Sequence, residues 1–180
     1  MSKYGPGEPT QLDVDIMTSS LVGIDYAHHQ IHAGNHYKAG YADTTMETDD
    51  VINLLFVTPD STIYAHWTLT AQTTGAAIVQ LFEGATASAN GTAVTRLNRN
   101  RNSTNTSTTL AFHTPTITAD GTKITEKYIG SEGFKESLGQ GFRGDNEIIL
   151  KRNTKYLIRC TAVSDGIKCA IGGDWYEHEA

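Results

Sequence analysis

A chain of 180 residues is the size of one domain, large enough to bury roughly two thirds of its unfolded surface. A formal net charge of −6 and a pI near 5.6 argue against a protein built to hold nucleic acid or an anionic membrane, since both need a basic footprint. No apolar run approaches the roughly 20 residues of a membrane helix, and the opening MSKYGPGEPTQLDVDI lacks the basic and apolar segments of a secretory leader, so a soluble protein that matures where it is made is expected.

Residues 1–25 carry two prolines, three glycines and little periodicity, and read as an extended arm ahead of a single domain over 26–180. Strand-type runs follow. HYKAGYAD (36–43) is weak, DVINLLFVT (50–58) is strongly apolar, TIYAHWTLTA (62–71) alternates, and AAIVQLFEG (76–84) comes after Thr74-Gly75. ATASANGTAV and the polar tract RLNRNRNSTNTST lead to TLAFHT (109–114), and Asp120-Gly121 opens TKITEKYIG (122–130). SEGFKESLGQGFRGDN (131–146) is a glycine-rich connection longer than a compact domain tolerates without purpose. EIILK (147–151), KYLIRCTAV (155–163) and IKCAIGGDWYEH (167–178) finish the chain.

Threonine, stiff at its branched β-carbon and partial to extended backbone, occurs 25 times against four prolines. No twelve-residue stretch has a clean helical pattern. The composition and the nine turn-separated strands predict an all-β protein, an antiparallel β-sandwich of jelly-roll type with an extended amino-terminal arm. Cys160 and Cys169 flank TAVSDGIK, read as a hairpin centred on Asp165-Gly166. In that register the two sulfurs are diagonal neighbours, and buried thiols are expected.

AHHQIHAGNHY (27–37) holds four histidines, His28, His29, His32 and His36, and raises the question of a metal. Zinc needs ligand nitrogens about 2.1 Å from the ion. Residues four apart lie roughly 13 Å apart in a strand but about 6 Å apart in a helix. Ala33-Gly34-Asn35 has turn composition and stops any helix before His36, so at best His28 and His32 pair. No Cys or carboxylate lies inside the cluster. The reading is therefore a structural turn built on His32, Gly34 and Asn35, with no metal and no cofactor.

Arg96, Arg99 and Arg101, interleaved with asparagines, form a candidate basic patch, but the tract has no aromatic residue for base stacking. A solvated loop or a polar contact to another subunit suits it better. The tail GGDWYEHEA puts carboxylates beside His178, yet general acid–base chemistry needs convergent partners. No nucleophile elbow, zinc-protease helix or phosphate-cradling loop is present, and LGQGFRG (138–144) does not run from a strand into a helix. No enzymatic activity is expected.

QIHAGN (Gln30–Asn35), GTAVTRLNRNRNS (Gly91–Ser103), NEIILKRNTKYLIR (Asn146–Arg159) and DWYEH (Asp174–His178) resemble, in that order, stretches of a family of tailed-bacteriophage virion proteins. The family is similar to capsid decoration, or cement, proteins, which bind the outer shell, often as trimers. The resemblance implies a non-enzymatic protein on the virion surface, assembled in the host cytoplasm, with the major capsid protein and its own copies as partners. It covers about His28 to the carboxyl end and excludes the arm. The candidate contacts are Tyr4, Pro6 and Leu12 in the arm, Arg96, Arg99 and Arg101, Phe134, Phe142 and Arg143 in the long connection, and Trp175 and Tyr176, amphipathic aromatics that anchor a last strand or an interface. Two rival readings remain: a carbohydrate-binding module of a fibre or spike using Tyr64, Trp67, Trp175 or Tyr176, and a metal-dependent enzyme on His28 and His32. Trp67 alternates with the apolar face of its strand, which favours core over platform.

Overall fold

The computed structural model describes residues 23–130 and 146–179. Chain order among them is α1 (Tyr26–Ala33), β1 (His36–Met46), β2 (Val51–Val57), β3 (Ile63–Thr73), β4 (Ala77–Glu83), β5 (Thr86–Ala89), β6 (Thr92–Ala93) and β7 (Leu97–Asn98). There follow β8 (Leu110–His113), β9 (Thr116–Ala119), β10 (Thr122–Ile129), β11 (Ile148–Ile149), β12 (Lys155–Ala162) and β13 (Ile167–Glu179). One sheet has the order β11-β3-β13-β1-β7, a second β10-β4-β12-β2-β8-β6, and β5 and β9 form a two-stranded flap. All pairings are antiparallel. Strands β1 to β4 fall alternately in the first and second sheets, and so do β10 to β13, starting from the second. The protein is an all-β sandwich, as composition and turn spacing predict.

The inner faces obey the period of two. Ile52, Leu54 and Phe56 of β2 face Ala65 and Trp67 of β3 and Trp175 of β13, with Phe56 edge-on to both indoles at 5.5 and 5.6 Å. Gly173 is bare because the Trp67 indole lies where its Cβ would stand. The apolar run of β2 does not alternate because both its faces are covered. Leu55 joins Phe82 and Leu157 in a second cluster on the outer face of its sheet, roofed by Ala87 of β5 and Ile117 of β9. A strand buried on both sides reads as a continuous hydrophobic run for this reason.

Three expectations change. The residues ahead of the expected turn form a helix: Asp25 caps it by accepting from the His28 N–H at 3.2 Å, and Gly34, in the left-handed region at φ 77°, ends it in the turn expected before His36. The chain between Cys160 and Cys169 is not a hairpin, since β12 and β13 belong to different sheets. The cysteines therefore meet across the sandwich, with Sγ atoms 2.7 Å apart and both thiols buried and free. Four short strands, β5, β6, β7 and β9, went unpredicted; at two to four residues they are too brief to show a period.

Candidate functional site at one corner of the sandwich

The polar elements of the sequence gather at the corner where α1 packs on the outer face of the first sheet. Helix α1 ends at Gly34 because a side chain there would strike Ser103 Oγ as well as suffer the positive φ. That contact is one of several by which the 96–106 segment folds onto the helix end. Asn98, buried, donates to Gly34 O at 2.8 Å and to Asn105 O at 3.1 Å, while its Oδ1 accepts from the Asn100 N–H. Asn100 donates to His32 O at 3.1 Å, and the Arg99 N–H donates to His36 O at 2.8 Å. The tract is thus solvent-exposed but folded into a clasp; its asparagines hold backbone carbonyls that the helix end leaves without partners.

Across the sheet, His36 of β1, Tyr176 of β13 and His66 of β3 stand in one row, since His36 pairs with Tyr176 and Tyr176 with His66. His36 is buried at 1% exposure, with Nδ1 3.2 Å from Ala27 O on the helix and Nε2 2.7 Å from Asp174 Oδ1. Arg99 Nη1 reaches the other carboxylate oxygen of Asp174 at 3.4 Å. At the far end of the row Tyr176 stacks on His66 at 4.6 Å, and its hydroxyl donates to Glu147 Oε1 at 3.1 Å. His66 Nδ1 is 2.9 Å from the same Glu147 oxygen, and His66 Nε2 is 2.8 Å from His178 Nε2. Tyr26 of α1 lies edge-on to both Tyr176 and His178.

Beneath this row, on the inner face, Glu177 is 7% exposed. Its carboxylate accepts from Ser107 Oγ, the Thr108 N–H and hydroxyl, the Thr109 N–H and the Trp175 indole N–H, at 2.6 to 3.0 Å. Burial pushes its pKa up, but these donors together outweigh burial and hold it below the ordinary carboxylate range. Tyr37 nearby is pushed up to about 12, by burial first and then by the Glu177 charge.

The structure brings together the turn residues His32, Gly34 and Asn35 with Arg99, Arg101 and Tyr176 of the candidate contacts. Arg99 and Arg101 are exposed at the corner. Arg96 is half-buried, and its Nε finds no partner among the described residues. Trp175 is at 0% exposure and Tyr176 at 6%, so the tail aromatics are core and underlayer instead of contact surface. Trp67 at 1% is likewise core, and neither indole offers a face to a sugar. Tyr4, Pro6, Leu12, Phe134, Phe142 and Arg143 lie outside the described residues.

Sequence reasoning missed His66, Glu147, Asp174 and Glu177 as members of one assembly. Each sits at a polar position in an alternating strand or beside one, which says only which face it takes. His28 and His32 do pair, as a helix permits, with Nε2 atoms 3.1 Å apart. No group of three or more His, Cys, Asp or Glu side chains among the described residues is placed to share a metal ion. No helix of the described residues is long and apolar enough to cross a membrane. No protein-family model, curated protein or solved structure matches the chain.

Proposed function

We infer that the chain is a structural virion protein that binds the outside of a tailed-phage capsid and stabilises it, a jelly-roll domain of the decoration type acting as a trimer. One observation carries the reading. The four stretches that resemble virion proteins, though scattered along the sequence, each send residues to a single corner. Asn98 and Asn100 of the second hold Gly34 and His32 of the first; Asp174 of the fourth holds Arg99 of the second; Glu147 of the third holds Tyr176 of the fourth. Scattered stretches that assemble one local structure are what a docking surface requires.

The exposed side of that corner, with Tyr26, His28, His29 and His32 on α1 and Arg99 and Arg101 on the clasp, is the contact surface of this reading. The rigid sandwich behind it suits a protein that ties several shell subunits together, because separation must then break all contacts at once. The strand orders, with β1, β13, β3 and β11 in one sheet and β2, β12, β4 and β10 in the other, support the jelly-roll reading. Cosedimentation with purified tailed-phage shells that lack the protein tests the function. The reading expects stoichiometric binding, weakened tenfold or more in His29→Glu/Arg101→Glu at unchanged melting temperature and weakened also by removal of residues 1–25. A glycan-array hit without shell binding would overturn it. Light scattering of the free protein at three times the chain mass is the expectation for the trimer.

A further inference from the structure

We propose that His66 and His178 form a two-histidine site for a late first-row divalent cation such as Zn²⁺, Ni²⁺ or Cu²⁺, with Glu147 orienting His66 from behind. His66 Nδ1 is 2.9 Å from Glu147 Oε1, and a carboxylate oxygen accepts only, so Nδ1 carries the proton. The Tyr176 hydroxyl spends its own proton on the same oxygen and is left to accept. His178 Nδ1 faces the Glu179 carbonyl oxygen, another pure acceptor, so it too is the N–H nitrogen.

Both Nε2 atoms therefore bear lone pairs in the neutral rings, yet they stand 2.8 Å apart. Two lone pairs repel at that range unless a cation, either a shared proton or a metal ion, lies between or beside them. At a metal–nitrogen distance of about 2.1 Å, two ligands on one ion are roughly 3.0 Å apart at the right angles of an octahedral or tetragonal ion and roughly 3.4 Å apart on tetrahedral zinc. A small ring rotation brings the observed pair to either spacing.

The scaffold is set for the task. The two histidines occupy diagonal positions on adjacent central strands, fixed by the Tyr176–His66 and His178–Tyr64 register. Tyr176 stacked on His66 and Tyr26 edge-on to His178 fix the ring planes. Glu147 behind His66 Nδ1 is the carboxylate–histidine arrangement that orients metal-binding imidazoles and raises their basicity. Imidazole ligands select zinc, copper and nickel over the harder magnesium and calcium. With two protein ligands, water fills the remaining positions, and the ion exchanges freely.

The exposed His28–His32 pair on α1 could chelate independently, so the experiment separates the two. Zinc titration calorimetry on the full chain at neutral pH compares wild type, His178→Asn, Glu147→Gln and His28→Asn/His32→Asn. The proposal expects one zinc to persist in His28→Asn/His32→Asn, to weaken tenfold or more in His178→Asn, and to weaken about tenfold in Glu147→Gln. Should His178→Asn fail to fold, Cu²⁺ electron paramagnetic resonance on His28→Asn/His32→Asn supplies the readout, with splitting from two imidazole nitrogens expected. Zinc binding unaffected by His178→Asn, or absence of both zinc binding and the two-nitrogen signal in His28→Asn/His32→Asn, would overturn it; the pair would then share only a proton.

Discussion

The Trp175 indole N–H donates to Glu177 Oε1 over 3.0 Å, two residues along the same strand and inside the sandwich. The same carboxylate holds Ser107, Thr108 and Thr109, so one buried charge ties the last strand to the segment that follows the clasp. Glu177→Ala orphans these donors and should cost about 3 kcal/mol, or roughly 6–12 °C in melting temperature at this size. A melt within 2 °C of wild type would refute the role.

Acid should act through the same group. A carboxylate whose folded pKa is lowered adds stability that is present above its unfolded value of about 4 and is lost as pH falls through the folded value. Asp120, held down mainly by its hydrogen bond with Arg159, acts in the same direction. Stability should therefore fall as pH drops from about 5 to 3, and the fall should be shallower in Glu177→Gln, as read by urea midpoints at each pH. An equally steep slope in the variant would remove Glu177 from the explanation.

Gly34→Ala should destabilise by about 1–2 kcal/mol from the left-handed backbone alone. The contact with Ser103 adds to that. Gly34→Ala/Ser103→Gly should recover the steric share but not the backbone share. Denaturant melts of the three proteins check this, and a double variant no better than the single would place the strain elsewhere.

Asn98→Ala removes both donors to Gly34 O and Asn105 O and should cost about 2 kcal/mol. Hydrogen exchange should rise across 99–106 while β2 and β12 keep their protection. Uniform loss of protection would mean that Asn98 supports the whole core and not the clasp.

Cys160 and Cys169, at 0% and 1% exposure, should be inert to thiol reagents in the native protein under reducing conditions and should both react after unfolding. The hydrogen bond to Cys169 and then burial push the Cys160 thiol up, which further disfavours the reactive thiolate. Rapid labelling of either thiol in the folded state would show that the sheets separate locally.

Most of the sandwich was legible because its long strands carry their own evidence. In 62–71 the alternation of Ile63, Ala65, Trp67 and Leu69 names the inner face, and in 50–58 the consecutive apolar residues Leu54 to Val57 mark a strand, whose two-sided cover the structure then shows. Helix α1 was not legible by periodicity, being eight residues long, although Asp25 and Gly34 mark its two ends. The Asp165-Gly166 turn was seen, but a turn does not say which sheet the next strand joins, and so the cysteine geometry was misread. The corner was hidden for a plainer reason. His66, Glu147 and His178 become neighbours only through strand order, and a single sequence carries no local trace of pairings that distant.

In the proposed docking, the corner built by α1, the Asn98–Asn105 clasp and the end of β13 faces the shell. A cryo-electron-microscopy map of tailed-phage shells incubated with the protein tests it most directly. Ordered density for the sandwich, with Tyr26, Arg99 and Arg101 against the capsid surface, is the expected result. Shells without bound density, or sandwiches docked through the β5–β9 flap with the corner pointing to solvent, would contradict it.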